Sequence, residues 1–157
     1  MSESIVPRPL TDEPGSVGDG ERLLRIVPRK WVDPTSGGAQ SIAFQDQTLE
    51  IALRFGLAAP CMSVAIESDW LVRSGRVEDL LVGWDQESYI AVFTAGQMRA
   101  LRTAAGHEQP QGVMHHAVPG APWHAVVWDL AVSPRNKSGR RAIAGVAQWF
   151  RRPDESK

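Results

Sequence analysis

The chain has 157 residues, 43% hydrophobic and 22% charged, with a net charge of -1. That length suits one domain with a core of its own. The near-neutral charge argues against a generic binder of nucleic acid or membrane surfaces, which need a positive field. The single cysteine, Cys61, excludes an internal disulfide framework and a multi-cysteine zinc site.

No apolar run approaches the roughly 20 residues of a membrane span. One thiol and no signal-like start make a reducing, cytoplasmic compartment the expectation. Six tryptophans against one tyrosine place some indoles at a surface edge or interface.

Residues 1–20 are rich in Pro, Gly, Ser and acid, and read as a flexible N-terminal arm. Residues 21–153 then form a single globular domain, and 154–157 a tail. Arg22–Val27 is a first strand stopped by Pro28. Residues 33–38 make a loop, and 41–45 a second short strand. Over 48–57 the apolar residues alternate at period two, yet Leu49, Ala52 and Leu53 also share a helical face. Gly56 and Ala58-Ala59-Pro60 read as a helix end, so a helix is preferred and a strand stays open. Residues 62–67 alternate as a strand. Residues 77–84 form a short helix with Val77, Leu80, Leu81 and Trp84 on one face. The apolar run 89–93 suits a central strand. Thr94 with Gln97 has capping-box spacing, which opens a helix from Ala95 to about Ala105. Residues 112–118 and 123–131 are strands of a hairpin around Pro119-Gly120-Ala121-Pro122. Residues 140–150 form an amphipathic helix with Ile143, Val146, Ala147 and Phe150 inward. Strands and helices do not alternate regularly. The expected class is therefore α+β, a mostly antiparallel sheet with short helices on one face and a C-terminal amphipathic helix.

A set of positions carries a resemblance across 22–153. It comprises Leu24-Arg25-Ile26 with Pro28, Ser41 with Ala43-Phe44, and Ser63-Val64. It continues with Phe93-Thr94-Ala95-Gly96 and Arg99, Pro122 with His124-Ala125-Val126-Val127, and Ala147-Gln148-Trp149-Phe150. In this order the set resembles an uncharacterised group of small single-domain bacterial proteins. The resemblance implies a bacterial, cytoplasmic origin and no particular activity. Where that group has a small residue and a lysine after the histidine strand, this chain has Trp128-Asp129. No phosphate-binding lysine is carried over.

Among residues suited to chemistry, His115, His116 and His124 come first. Zinc takes two imidazoles and a carboxylate, for which Asp129 is available. Neighbours on a strand point to opposite faces, so His115 and His116 do not share one ion, whereas across a hairpin one of them can approach His124. Ordinary strand histidines are the preferred reading, so no metal and no other cofactor is expected. His124 beside apolar neighbours is a candidate acid or base, with a buried structural role preferred.

Arg25 and Arg99 lie in apolar settings and need an anion if they point inward. That anion is a ligand phosphate or carboxylate, or an internal carboxylate such as Glu67 or Asp129, with the internal pair preferred. The helix start at Thr94-Ala95-Gly96 offers N–H groups to an anion, although ordinary capping is preferred. Ser41 and Ser63 lack a nucleophile elbow. Cys61 sits between Pro60 and Met62 as an inert thiol. Arg135, Lys137, Arg140, Arg141, Arg151 and Arg152 make the last segment basic.

The leading functional expectation is a small binding or adaptor protein that works through a protein partner. The alternative is a small enzyme on a nucleotide-like or anionic substrate. In it Arg25 and Arg99 hold the anion, His124 moves a proton, and Ser41 or Ser63 orients the substrate. That reading requires these side chains to meet in one pocket. A third reading, nucleic-acid contact through the basic C-terminal helix, ranks last. The sequence leaves oligomeric state open.

Overall fold

The computed structural model describes residues 6–82 and 88–150. The strands are β1 (Arg22–Val27), β2 (Met62–Ile66), β3 (Tyr89–Thr94), β4 (Gln111–His115), β5 (His124–Asp129) and β6 (Gln148–Trp149). They form one sheet in the order β4-β5-β2-β1-β3-β6, and every pairing is antiparallel. The helices are α1 (Leu49–Arg54), α2 (Glu67–Ser74), α3 (Ala95–Arg99) and α4 (Lys137–Val146). The architecture is α+β, with the C-terminal helix in place. Among the described residues no helix is long and apolar enough to cross a membrane.

Side-chain alternation sorts the core into two layers. Leu23, Val27, Met62, Val64, Ala91, Phe93, Val113 and Val127 face one side, where Ala95 and Met98 of α3 and Ile143 of α4 cover them. Leu24, Ala65, Ile90 and Val92 face the other, against Trp70 of α2 and Val77. Farther along that second side Met114, Val126 and Trp128 pack on Ala52 of α1. The helices thus divide between both faces instead of packing on one as expected, because the central strands carry apolar residues at odd and even positions alike.

α1 resolves the period-two ambiguity of 48–57 as a helix. Thr48 Oγ1 accepts from the Ile51 N–H at 3.2 Å, and Gly56 leaves the helix at φ +77°. At α3 the capping box is complete: Thr94 Oγ1 accepts from Gln97 N–H at 3.0 Å, and Gln97 Oε1 from Thr94 N–H at 2.8 Å. The hairpin turn also forms, with Val118 and Ala121 bridged and Gly120 at φ +82°.

Other elements differ from expectation. Residues 41–45 are no strand; Ser41–Phe44 is a 3-10 turn, which lets the adjacent Ala43 and Phe44 both enter the core. A strand would send them to opposite faces. α3 ends at Arg99 rather than near Ala105, because the chain turns to bury Leu101, whose carbonyl accepts from Gln109 N–H at 2.9 Å. α4 stops at Val146 rather than Phe150, because Gln148 and Trp149 leave it to extend the sheet beside β3. The Trp149 indole donates to Gly37 O at 2.9 Å. Residues 77–81 form a 3-10 turn, while Trp84 and the 154–157 tail lie outside the described residues.

The segment read as a flexible arm is packed over its described part, 6–20. Val17 is fully buried. Asp12 Oδ1 accepts from Val113 N–H at 3.0 Å, Glu13 Oε1 from His115 N–H at 3.1 Å, and Glu13 N–H donates to Val113 O at 2.9 Å. Acidic residues that cannot build a core instead satisfy the open edge of β4.

Candidate functional site

β1 pairs with β3 along its whole length but with β2 only at Leu23–Ile66 and Leu24–Ala65. Continued register would set Arg25 opposite Val64. There the strands part, and the Arg25 side chain enters the gap. Its Nε donates to Ala43 O at 3.1 Å and its Nη1 to Ser63 O at 2.8 Å. The guanidinium thus bonds one carbonyl of β2, Ser63 O, beyond the point where the β1–β2 pairing stops. Among the described residues no carboxylate lies within 4.0 Å of it, and Nη2 has no protein partner. Burial, with the like charge of Arg135 added, pushes its pKa down to about 10, against the pull of Asp46. It stays a cation at neutral pH, incompletely neutralised by protein.

The gap opens into a cleft of about 340 Å3 lined by Arg25, Ser63, Trp31, Leu80, Trp123 and His124 among others. Leu24, Ile26, Val64 and Ala65 make its floor apolar. Two indoles belong to the lining. Trp123 is held edge-on by Trp70 at a centroid distance of 4.7 Å, and Trp31 belongs to the 3-10 turn Arg29–Trp31. A smaller hollow of about 170 Å3 shares Arg25, Trp31 and Ser63 and adds Asp46, Gln47 and Cys61. The Cys61 thiol is pushed up to about 11 by burial, which keeps it inert.

His124 begins β5, and the hairpin brings His116 to it: the two Nδ1 atoms are 3.1 Å apart. His124 Nδ1 also lies 2.9 Å from His116 O. A carbonyl only accepts, so His124 Nδ1 carries the hydrogen and Nε2 the lone pair. Burial lowers the pKa of both rings, so both are neutral at pH 7; for His116, the neighbouring His124 lowers it further. His115 turns away to Pro122 O at 2.7 Å.

The proposed foursome does not converge. Arg25 and His124 share the cleft, and of the two serines Ser63 lines it. Ser41 opens its 3-10 turn away from that lining. Arg99 is an internal salt bridge, paired with Asp12 at 3.0 Å and Asp19 at 2.8 Å instead of Glu67 or Asp129. Arg25, also expected to form an internal pair, has no carboxylate partner among the described residues. Glu67 pairs with Arg22 at 3.3 Å.

Asp129 sits at the far end of β5 from His124. It accepts from Gln109 Nε2 at 2.7 Å, Gln111 Nε2 at 3.1 Å and two backbone N–H groups. Burial opposes its ionisation, yet these bonds hold its pKa low. It is not near the histidines, and among the described residues no group of three or more His, Cys, Asp or Glu is placed to hold a metal. Arg135, counted in the basic cluster, is a core residue: it is 2% exposed and its Nη1 bonds Asp46 Oδ1 and Phe44 O. Arg140 reaches back to Arg135 O at 3.1 Å, and Arg151 and Arg152 lie outside the described residues.

Trp31, Trp123 and Leu80 escaped the sequence reading as cleft residues, since an indole in a loop carries no periodic signal. The surplus of tryptophan was the only hint. What fold and site define together is a small α+β domain with a cationic, indole-lined cleft between parted strands. No family model matches the chain, and no curated protein or solved structure matches it.

Proposed function

We propose that the protein binds a small organic anion in the cleft at the β1–β2 gap. One observation carries the reading: among the described residues Arg25 is a half-buried guanidinium with two carbonyl partners, no carboxylate, and a free Nη2 beside an apolar hollow. A buried charge is costly unless paired, and a carboxylate or phosphate supplies the missing partner. The largely apolar lining, with Trp31 and Trp123, suits an apolar or aromatic body behind the acid group. His124 and Ser63 add polar points. Calorimetric titration with naphthoate and with its uncharged analogue naphthamide tests it. The acid binds at least tenfold tighter, and Arg25→Met removes the difference. Equal binding of acid and amide to the unaltered chain refutes the reading.

For the expectation of a protein partner we propose a second reading, in which α1 supplies the contact surface. Leu49, Ile51, Leu53 and Phe55 are exposed on both flanks of the helix, with only Ala52 buried beneath. Glu50 and Arg54 pair at 2.8 Å on its outer ridge. An antiparallel second copy would set Glu50 opposite Arg54 and Arg54 opposite Glu50, and a second copy is the partner we propose. Sedimentation at rising concentration shows a dimer that Leu53→Asp abolishes. A monomer throughout rejects it.

A further inference from the structure

We infer that the cleft selects an apolar acid that also bears a hydroxyl or N–H group, and that His124 Nε2 receives that hydrogen. The inference rests on the anion reading above and adds the second recognition point. His124 lines the same cleft as Arg25, so one ligand can meet both.

The state of the ring follows from its neighbours. The His116 carbonyl, 2.9 Å away, fixes the hydrogen on Nδ1. That same N–H faces His116 Nδ1 at 3.1 Å, which must then accept. A protonated His124 would keep the Nδ1 hydrogen but turn Nε2 from acceptor to donor. Burial disfavours that charge. With Nδ1 held by the hairpin, the opposite edge of the imidazole remains. Among the described residues Nε2 has no protein partner. It is a fixed acceptor in a mostly apolar lining, and an acceptor of that kind discriminates for a donor. The His116–His124 contact is thus a positioning device: the hairpin sets the tautomer, and the tautomer sets the specificity.

The cleft presents a donor-only group at Arg25 and an acceptor-only group at His124, with indole and aliphatic side chains in the same lining. A molecule with a carboxylate at one end, a planar apolar body and a hydroxyl at the other matches all three. A purely apolar acid leaves Nε2 without a hydrogen, and a diacid sets a second negative charge against a lone pair.

The test uses naphthoate, hydroxynaphthoates and naphthamide with the full chain and with His124→Phe. A favourable hydroxynaphthoate isomer binds about three- to tenfold tighter than naphthoate, the size of one net hydrogen bond. His124→Phe removes that gain while leaving the preference of acid over amide. If acids bind through Arg25 but no hydroxyl isomer gains, or the gain survives His124→Phe, the inference is overturned and the anion reading stands. If acid and amide bind alike, the anion reading itself fails. Nitrogen NMR of the unaltered chain at neutral pH checks the inference without any ligand or variant. An unprotonated Nε2 supports it, and a hydrogen on Nε2 overturns it.

Discussion

Arg25 and Arg135 are two guanidiniums withdrawn from water and treated in opposite ways. Arg135 is bonded at every guanidinium nitrogen: its side chain reaches Asp46, Gln111 Oε1 at 2.7 Å, Phe44 O and Val127 O at 3.2 Å, and its own N–H reaches Asp46 Oδ2 at 2.7 Å. Arg25 has two carbonyls and a cleft. Burial lowers both pKa values, but only Arg135 has a carboxylate in contact to offset it. A charge that the fold completes is architecture. A charge that the fold leaves incomplete is where the proposed anion would bind.

That contrast can be broken from the Arg135 side first. Arg135→Met leaves Asp46 buried and unpaired, so the folded state loses about 3–5 kcal/mol. Arg25→Met removes an unpaired cation and leaves two carbonyls short of a donor, a cost of about 1–3 kcal/mol. Urea unfolding of both variants checks the order; equal losses would erase the distinction.

Arg99 is the intermediate case: side chains from far along the chain, Asp12 and Asp19, neutralise its charge, while its buried Nη2 keeps no hydrogen-bond partner among the described residues. Asp12→Ala also frees the Val113 N–H, so the loss is about 1–2 kcal/mol after allowing for solvent at the pair. The same change loosens residues 6–20 from the edge of β4, which hydrogen exchange at Val113 and His115 reads directly. Thr94→Ala removes a cap that serves only the helix start, at about 1 kcal/mol, visible in the same unfolding curves.

The smallest effect is titration of the histidine pair. Both folded pKa values lie below the ordinary value, so the unfolded chain takes up protons first as pH falls. Stability contributed by neutral His116 and His124 is full above about pH 6.5 and declines below it. His124→Phe flattens the melting temperature between neutral pH and the onset of carboxylate protonation. An unchanged slope would place the acid sensitivity elsewhere.

Local chemistry made parts of the molecule legible in advance. Thr94 and Gln97 satisfy each other three residues apart, so the capping box can be read from spacing alone. The Pro119–Pro122 turn and the apolar run of β3 are likewise short-range facts. The hairpin contact between His116 and His124 follows from the turn and strand pairing.

Ser41 and Arg99 lie outside the cleft and Trp31 and Trp123 line it, and nothing within a few residues of each records which cavity it lines. Composition alone misjudged residues 6–20, since acids short of a core of their own can complete another strand's edge. The class of the fold, the short-range caps and turns, and the presence of arginines in apolar runs belong to the sequence itself, because hydrophobic period and neighbouring side chains decide them. Which arginine finds a carboxylate is a tertiary matter. Arg135 meets Asp46 across 89 residues, Arg99 meets Asp12 across 87, and among the described residues Arg25 bonds only carbonyls. Such pairings depend on where β1 and β2 part and on which loops close over them, and only the packed chain sets those distances.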